Sequence, residues 1–215
     1  MNFSFWVEIV GTIAFASSGT MVGIEKEMDI FGIMVLAVTT ALGGGLIRDL
    51  VLGNTPPNMF GNWIYALTAI ITALILFLVV YLKKDALNSK WMLGYERVMV
   101  LLDAIGLGAF TVIGIETALR FGHRDDIFLL LFVAVMTGVG GGLLRDVMAG
   151  NMPYIFVKHI YAVASLAGAV VCIIIGRRWG YSLGMVIGAV VVLILRMLAA
   201  KYRWNLPRIK RSDQK

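Results

Sequence analysis

The hydrophobic positions of this chain fall into seven apolar runs, separated by short polar and charged segments. A helix needs about 20 mainly apolar residues to cross the hydrocarbon core of a bilayer, and each run is close to that length. The pattern therefore predicts an all-α polytopic membrane protein with seven transmembrane helices. The predicted spans cover residues 3–23, 30–52, 62–82, 98–119, 127–148, 159–176 and 181–199.

A block of twelve residues occurs twice, as GGGLIRDLVLGN at 43–54 and as GGGLLRDVMAGN at 140–151, with eight identical positions. Matches upstream and downstream of the block extend the repeat to two three-span units, 3–82 and 98–176. Because three is odd, the second unit enters the membrane with the opposite orientation. We therefore expect a 3+3 inverted repeat, followed by a seventh helix at 181–199 and a basic tail at 200–215.

The three consecutive glycines of each block are unusual inside a helix, where each Gly costs about 1 kcal/mol relative to Ala. They permit either a break in the helix that faces a cavity or the close approach of another helix. Packing glycines are usually spaced four apart, which favours a broken helix. A rise of 1.5 Å per residue places the two breaks about 12 Å apart along the membrane normal. The candidate kink and pore residues are Gly43, Gly44, Gly45, Gly140, Gly141 and Gly142.

An Arg-Asp pair follows each triglycine, and one further acid lies near the start of the first and fourth spans. The pairs either end a helix at the membrane interface or brace the broken segments at a pore mouth. The two further acids occupy matching positions in the repeats, where they would concentrate cations at opposite mouths. These candidates are Arg48, Asp49, Arg145, Asp146, Glu8 and Asp103.

Several hydroxyl side chains near the glycines are a further candidate pore lining, although Ser and Thr in helices most often bond back to their own helix. No spacing of ligands indicates a metal site, and no motif of nucleotide hydrolysis, zinc hydrolysis or nucleophilic catalysis is present. We therefore expect neither enzymatic activity nor a cofactor. The candidate hydroxyl residues are Ser17, Ser18, Thr39, Thr40 and Thr137.

The chain is 60% hydrophobic and 15% charged, with a net charge of +6. Many basic residues lie in the tail directly after the last span, which is typical of a topology signal and of contact with anionic membrane lipid rather than nucleic acid. Lys and Arg are most numerous on the side of the C-terminus. The sequence thus predicts a protein of the inner (plasma) membrane with its N-terminus outside and its C-terminus in the cytoplasm.

Seven spans ordered 3+3+1, with GGGxxRD in spans two and five, resemble the trimeric intracellular cation channel (TRIC) family, specifically its prokaryotic branch. The resemblance covers essentially the whole chain. It implies a homotrimer in which each protomer has its own pore for monovalent cations, chiefly K⁺, between kinked second and fifth spans, with the first and fourth spans contributing. The channel hypothesis is therefore an aqueous path for K⁺ or Na⁺. Bacterial relatives have also been labelled as glycine transporters, so an ion-coupled secondary transporter of a small amino acid is the alternative. The acids lie towards the span ends, which favours the channel.

Overall fold

The computed structural model describes residues 3–82, 89–157 and 160–204, and all regular secondary structure in these residues is helical. Seven of the helices are long and apolar enough to cross a membrane, as predicted. Two helices of four residues each, α3 at Asn58–Gly61 and α7 at Tyr154–Val157, connect long helices. Most of the predicted basic tail, 205–215, lies outside the described residues. The helices are α1 Phe3–Glu25, α2 Ile30–Val51, α3 Asn58–Gly61, α4 Ile64–Leu82, α5 Ser89–Arg120, α6 Ile127–Met148, α7 Tyr154–Val157, α8 Tyr161–Trp179 and α9 Tyr181–Tyr202.

The observed helices differ from the predicted spans in two places. Helix α5 begins at Ser89, nine residues before the predicted span. The span was predicted from apolar residues alone, whereas a helix also tolerates the polar residues that precede them. The short helices α3 and α7 were not predicted, because four residues give no periodic hydrophobic pattern. Both follow prolines just after the repeated block: α3 follows Pro56 and Pro57, and α7 follows Pro153. Since Pro56 and Pro153 are matched in the repeat, the two short helices belong to equivalent places in the two units.

The ends of α2 and α6 are specified locally by equivalent residues. At the start, the carboxylates of Asp29 and Asp126 accept the backbone N–H groups of the third residue that follows each, at 2.7 and 2.9 Å, as N-cap residues do. At the end, Gly53 and Gly150 adopt positive φ angles of 71° and 67°, which only glycine adopts without strain. The Gly-Asn that closes each block thus marks the end of its helix.

The four helices α1, α2, α5 and α6 form the interior of the bundle, and α4, α8 and α9 lie outside them with exposed apolar faces. Helices α1 and α5 are antiparallel, because Ser4 near the start of α1 bonds to Glu116 near the end of α5. At the other end, Ser18 of α1 contacts the sulfur of Met99 in α5 at 3.5 Å. The fold is the expected inverted repeat with one additional helix.

Both triglycines lie within continuous α-helix, so the prediction of a break in the helical hydrogen bonding is wrong. The glycines instead permit backbone-to-backbone contact between α2 and α6. A Cβ atom added to Gly44 would lie 2.1 Å from the carbonyl oxygen of Thr137, and one added to Gly141 would lie 2.1 Å from that of Thr40. Gly44 and Gly141 are therefore required by a close helix crossing, the alternative that sequence spacing had disfavoured.

The crossing also corrects the predicted separation of the two triglycines. The Cβ of an alanine at position 140 would lie only 3.2 Å from Gly44 Cα, so the blocks lie at one level of the bundle rather than about 12 Å apart. The estimate assumed that each helix begins at the edge of the hydrocarbon core. A helix of 22 residues is about 33 Å long. Two antiparallel helices contact each other at the level where they cross, whatever the distance of that level from their ends.

Two phenylalanines lie beside this crossing and are related by the repeat. The ring of Phe15 lies against Gly106, where an added Cβ would meet it at 2.1 Å, and the ring of Phe110 lies against Gly11 at 3.2 Å. The two ring centroids are 5.2 Å apart. Phe15 is fully buried, and Phe110 is nearly so. At the centre of the inverted repeat, two aromatic rings thus pack against each other, and each lies against a glycine of the other unit.

We expect Gly44→Ala to lower the free energy of unfolding by roughly 1–3 kcal/mol, the usual range for overpacking, because its Cβ would overlap the Thr137 carbonyl. Gly45→Ala is the matched control in the same helix. Its Cβ would meet no atom of another residue nearer than Arg48 Nη2 at 3.6 Å, and Ala favours helix. Unfolding in mixed detergent micelles measures both variants, and equal losses of stability would contradict the packing role of Gly44.

Candidate functional site

The first unit forms a cluster of charged residues at the end of the bundle where α1 begins. Glu8 of α1 accepts a hydrogen bond from the hydroxyl of Tyr65 in α4. Arg48 Nε donates to Asp49 Oδ1 at 2.8 Å, so these adjacent residues of α2 pair with each other. The pair is nearly inaccessible to solvent, whereas Glu8 is half-buried. We call Glu8, Arg48, Asp49 and Tyr65 the first cluster.

Asp49 also organises the chain that follows α2. Its Oδ2 atom accepts the backbone N–H of Asn58, the first residue of α3, at 2.8 Å. The same arrangement recurs in the second unit, where Asp146 Oδ2 accepts the N–H of Tyr154 at 2.9 Å. Each Asp therefore holds both its neighbouring Arg and the first turn of a short helix. This bracing supports the interpretation in which the pairs do more than end a helix.

A cavity of about 50 Å³ opens beside the first cluster, with room for a few water molecules. Its polar walls come from Glu8, Arg48, Asp49 and Tyr65, together with Thr12 of α1. The cavity reaches the face of α2 that carries Gly45, and it is bounded on the α5 side by Phe110. A water-sized space lined by carboxylates thus extends from one end of the bundle toward the central aromatic pair.

The second unit forms the equivalent cluster at the opposite end of the bundle, where α5 and α1 contact through Ser18 and Met99. Asp103 takes the position of Glu8, and its Oδ1 accepts a hydrogen bond from the Tyr161 hydroxyl at 3.2 Å. Arg145 donates from Nε to Asp146 Oδ1 at 2.9 Å. We call Asp103, Arg145, Asp146 and Tyr161 the second cluster.

The second cluster is closed and more densely bonded than the first. Arg145 Nη1 bonds to Asp103 Oδ1 at 3.0 Å and also to the hydroxyl of Ser18, so this guanidinium joins α1, α5 and α6. Both charged side chains are fully buried. A Cβ added at Gly142 would lie 2.8 Å from the Tyr161 hydroxyl. The space that forms the cavity beside Gly45 is therefore filled in the second unit.

Helix α9 adds a further cation to the second cluster. Arg196 Nη2 lies 3.5 Å from Asp103 Oδ2, and its guanidinium carbon lies 4.6 Å from the centroid of the Tyr161 ring, within the range of a cation–π interaction. Arg196 is 1% exposed. The first unit has no equivalent of α9, so this contact is the clearest departure from the repeat.

The predicted hydroxyl residues are not brought together. Ser17, Thr40 and Thr137 each donate to the carbonyl oxygen four residues earlier in their own helix, at 2.6–2.7 Å, as such residues commonly do. Ser18 instead joins the second cluster, and Thr39 is half-buried on α2. A pore-lining role for these five residues stays a prediction.

Sequence reasoning missed three residues of the clusters. Tyr65 and Tyr161 each follow an isoleucine at equivalent places of the repeat, so alignment of the two units contained a signal for them. Arg196 interrupts an otherwise apolar span, which is itself a mark of function in membrane helices. Its partner Asp103 lies 93 residues away in the chain, and no spacing rule relates the two.

A seven-helix inverted repeat with buried ionisable clusters at both ends defines the class of polytopic membrane proteins built from two inverted units. A family model described as glycine transporter matches this chain twice, at residues 5–81 and 100–177. The UPF0126 membrane protein YvgT of Bacillus subtilis is 36% identical over 94% of both chains. The UPF0126 inner membrane protein YadS of Escherichia coli is 35% identical over 94% of both.

Solved structures give the same result. A structure described as showing conductance through TRIC cation channels has a TM-score of 0.82 and 33% identity, and the match covers 99% of both chains. The TRIC orthologue from Rhodobacter sphaeroides has a TM-score of 0.83 and 30% identity, covering 95% of this chain and 100% of that one. This chain belongs to the family of that glycine-transporter model and to the prokaryotic branch of the TRIC family.

We expect Asp146→Ala to lower the free energy of unfolding by about 3–5 kcal/mol, because it leaves the buried Arg145 without one of its two charge partners. Glu116→Ala is the control, since Glu116 pairs with Arg120 in contact with solvent and such pairs contribute at most about 1 kcal/mol. Unfolding in mixed micelles measures both. Similar losses would show that burial of the Asp146 pair has no energetic consequence.

Proposed function

We propose that this protein is a K⁺-permeable channel for monovalent cations that assembles as a homotrimer, with one path through each protomer. The path runs between α2 and α6, with α1 and α5 completing its walls. The observation that carries this proposal is the likeness of fold and sequence over the whole chain to proteins described as TRIC cation channels.

The first cluster supports the same proposal through its charge. Two carboxylates, Glu8 and Asp49, face one guanidinium, Arg48, so the cluster has one net negative charge when all three groups are ionised. A carboxylate at the mouth of a narrow, low-dielectric cavity raises the local concentration of cations. The cavity beside it holds water-sized space, which a partly hydrated monovalent cation requires.

The central aromatic pair is the constriction of the proposed path. Phe110 bounds the cavity of the first cluster, and Phe15 lies against Phe110 and against Gly141 of α6. An apolar constriction can exclude water and so block ions. In this proposal the path is closed at the two rings, and conduction requires the rings to move apart.

The alternative function is an ion-coupled transporter of glycine, which the description of the matching family model favours. Inverted-repeat transporters typically bind substrate and coupling ion at unwound segments of discontinuous helices near the middle of the membrane. Helices α2 and α6 are continuous through their glycines. Backbone groups that such a site would need are thus engaged in the helices, which supports the channel.

The membrane setting of the proposed channel follows from its surface. Large apolar side chains are exposed along α4, α8 and α9, for example Leu78, Ile174 and Ile194, and in a trimer they contact either lipid or another protomer. We propose the inner membrane as the location, with the N-terminus outside and the C-terminus inside, as the distribution of Lys and Arg favours.

We expect purified wild-type protein in planar bilayers to give ohmic single-channel currents with concentrated KCl on both sides, where salt screens the mouth charges, and no other solute. The physical reason is a path that needs no bound substrate to conduct once the two rings have moved apart. Glycine uptake into proteoliposomes that contain the protein is measured in parallel. Silent bilayers together with saturable, ion-driven glycine uptake would replace the channel by the transporter.

We expect Glu8→Gln to lower the K⁺ conductance several-fold at low ionic strength and much less at high salt, because screening weakens the attraction of a mouth charge. The amide keeps the size of the side chain and its capacity to accept the Tyr65 hydrogen bond. Glu116→Gln is the control, an acid at the same end that contacts Ser4 and Arg120 outside the cavity. Equal effects of the two variants would remove Glu8 from the proposed path.

A further inference from the structure

We propose that Arg196 makes the two ends of the path electrically different: by neutralising Asp103, it leaves the Glu8 end as the mouth that attracts cations. This inference rests on the proposed channel and names the residue that sets its asymmetry. It concerns α9, the helix that stands outside the repeat.

Glu8 and Asp103 are equivalent by sequence and by their contact with a tyrosine, and Asp103 in addition bonds to Arg145. Each lies three residues before a glycine that seats an aromatic ring, Gly11 or Gly106. Each carboxylate accepts a hydrogen bond from a tyrosine at an equivalent place in the third helix of its own unit, Tyr65 or Tyr161. An inverted repeat with only these residues would therefore present the same acid at both ends.

The charges within the repeats are also equivalent. In each unit the Arg-Asp pair of the block is a mutual ion pair, Arg48 with Asp49 and Arg145 with Asp146. One further carboxylate then remains in each cluster, so each carries one net negative charge when all groups are ionised. Arg196 supplies one positive charge to the second cluster alone. The second cluster becomes neutral, and the first keeps its negative charge.

The position of Arg196 makes this compensation effective and permanent. The guanidinium is buried with Asp103 and lies over the Tyr161 ring, where solvent and salt do not screen the interaction. Arginine suits this place because its guanidinium is always charged, weakly hydrated and able to stack on an aromatic ring. It approaches from α9, which packs against α5 and α8, so it alters the charge of the mouth without standing in the path between α2 and α6.

The test compares currents carried from the two sides in bilayers that hold channels of one orientation, at low ionic strength. We expect wild-type channels to rectify, with larger K⁺ currents entering from the Glu8 end. Arg196→Gln restores a negative charge at the Asp103 end and should raise the current entering from that end several-fold, which reduces the rectification. Arg196→Lys keeps the charge and should rectify like the wild type. Lys201→Gln removes an exposed charge from the same helix and should have no effect.

A second measurement is independent of conduction. We expect K⁺, titrated against choline at constant ionic strength, to raise the Tm of Arg196→Gln more than that of the wild type, because the freed Asp103 gains affinity for a cation. A folded Arg196→Gln variant with unchanged rectification, or with no added K⁺ stabilisation, would overturn the role of Arg196. A wild-type protein that carries no current would instead refute the channel, and the Tm titration would still decide whether Arg196 neutralises a cation site.

Discussion

The backbone contact between α2 and α6 is the constraint on which the rest of the structure depends. Gly44 and Gly141 each lie against a carbonyl oxygen of the facing helix, so any side chain at these positions would force the helices apart. The contact sets the distance between the two units, and every other element of the interior is placed relative to it. The rings of Phe15 and Phe110 lie beside this crossing. The two charged clusters lie on either side of it, at opposite ends of the bundle.

Close packing at the centre has a consequence for the charges at the ends. Because the α2–α6 crossing leaves little space between the units, each buried guanidinium must find its partners within its own end of the bundle. In the second unit Arg145 does so with Asp103, Asp146 and Ser18, which closes that end. In the first unit Arg48 pairs with Asp49, and water-sized space remains beside Glu8. One repeated sequence thus yields a closed end and an open one.

The two units also show how a fold built from a repeat comes to have two different ends. Repeat symmetry makes both mouths alike, and a path with identical mouths treats ions from both sides in the same way. The additional helix α9 breaks this symmetry with one residue, Arg196, which contacts Asp103 and Tyr161. In the proposed channel, the glycines and the Arg-Asp pairs therefore account for the path, and the departure from the repeat accounts for its polarity.

The sequence by itself determined the seven spans, the duplication and the inversion, because these depend on hydrophobic length and on an odd number of spans per unit. It also located Glu8, Asp103 and both Arg-Asp pairs, since charges in apolar runs are conspicuous. Only the tertiary structure decided that the glycines lie where two continuous helices cross, that both triglycines lie at one level of the bundle, and that Arg196 contacts Asp103. These are contacts between helices. The pattern of residues along the chain shows which side chains each helix carries, but not which surface of another helix it packs against.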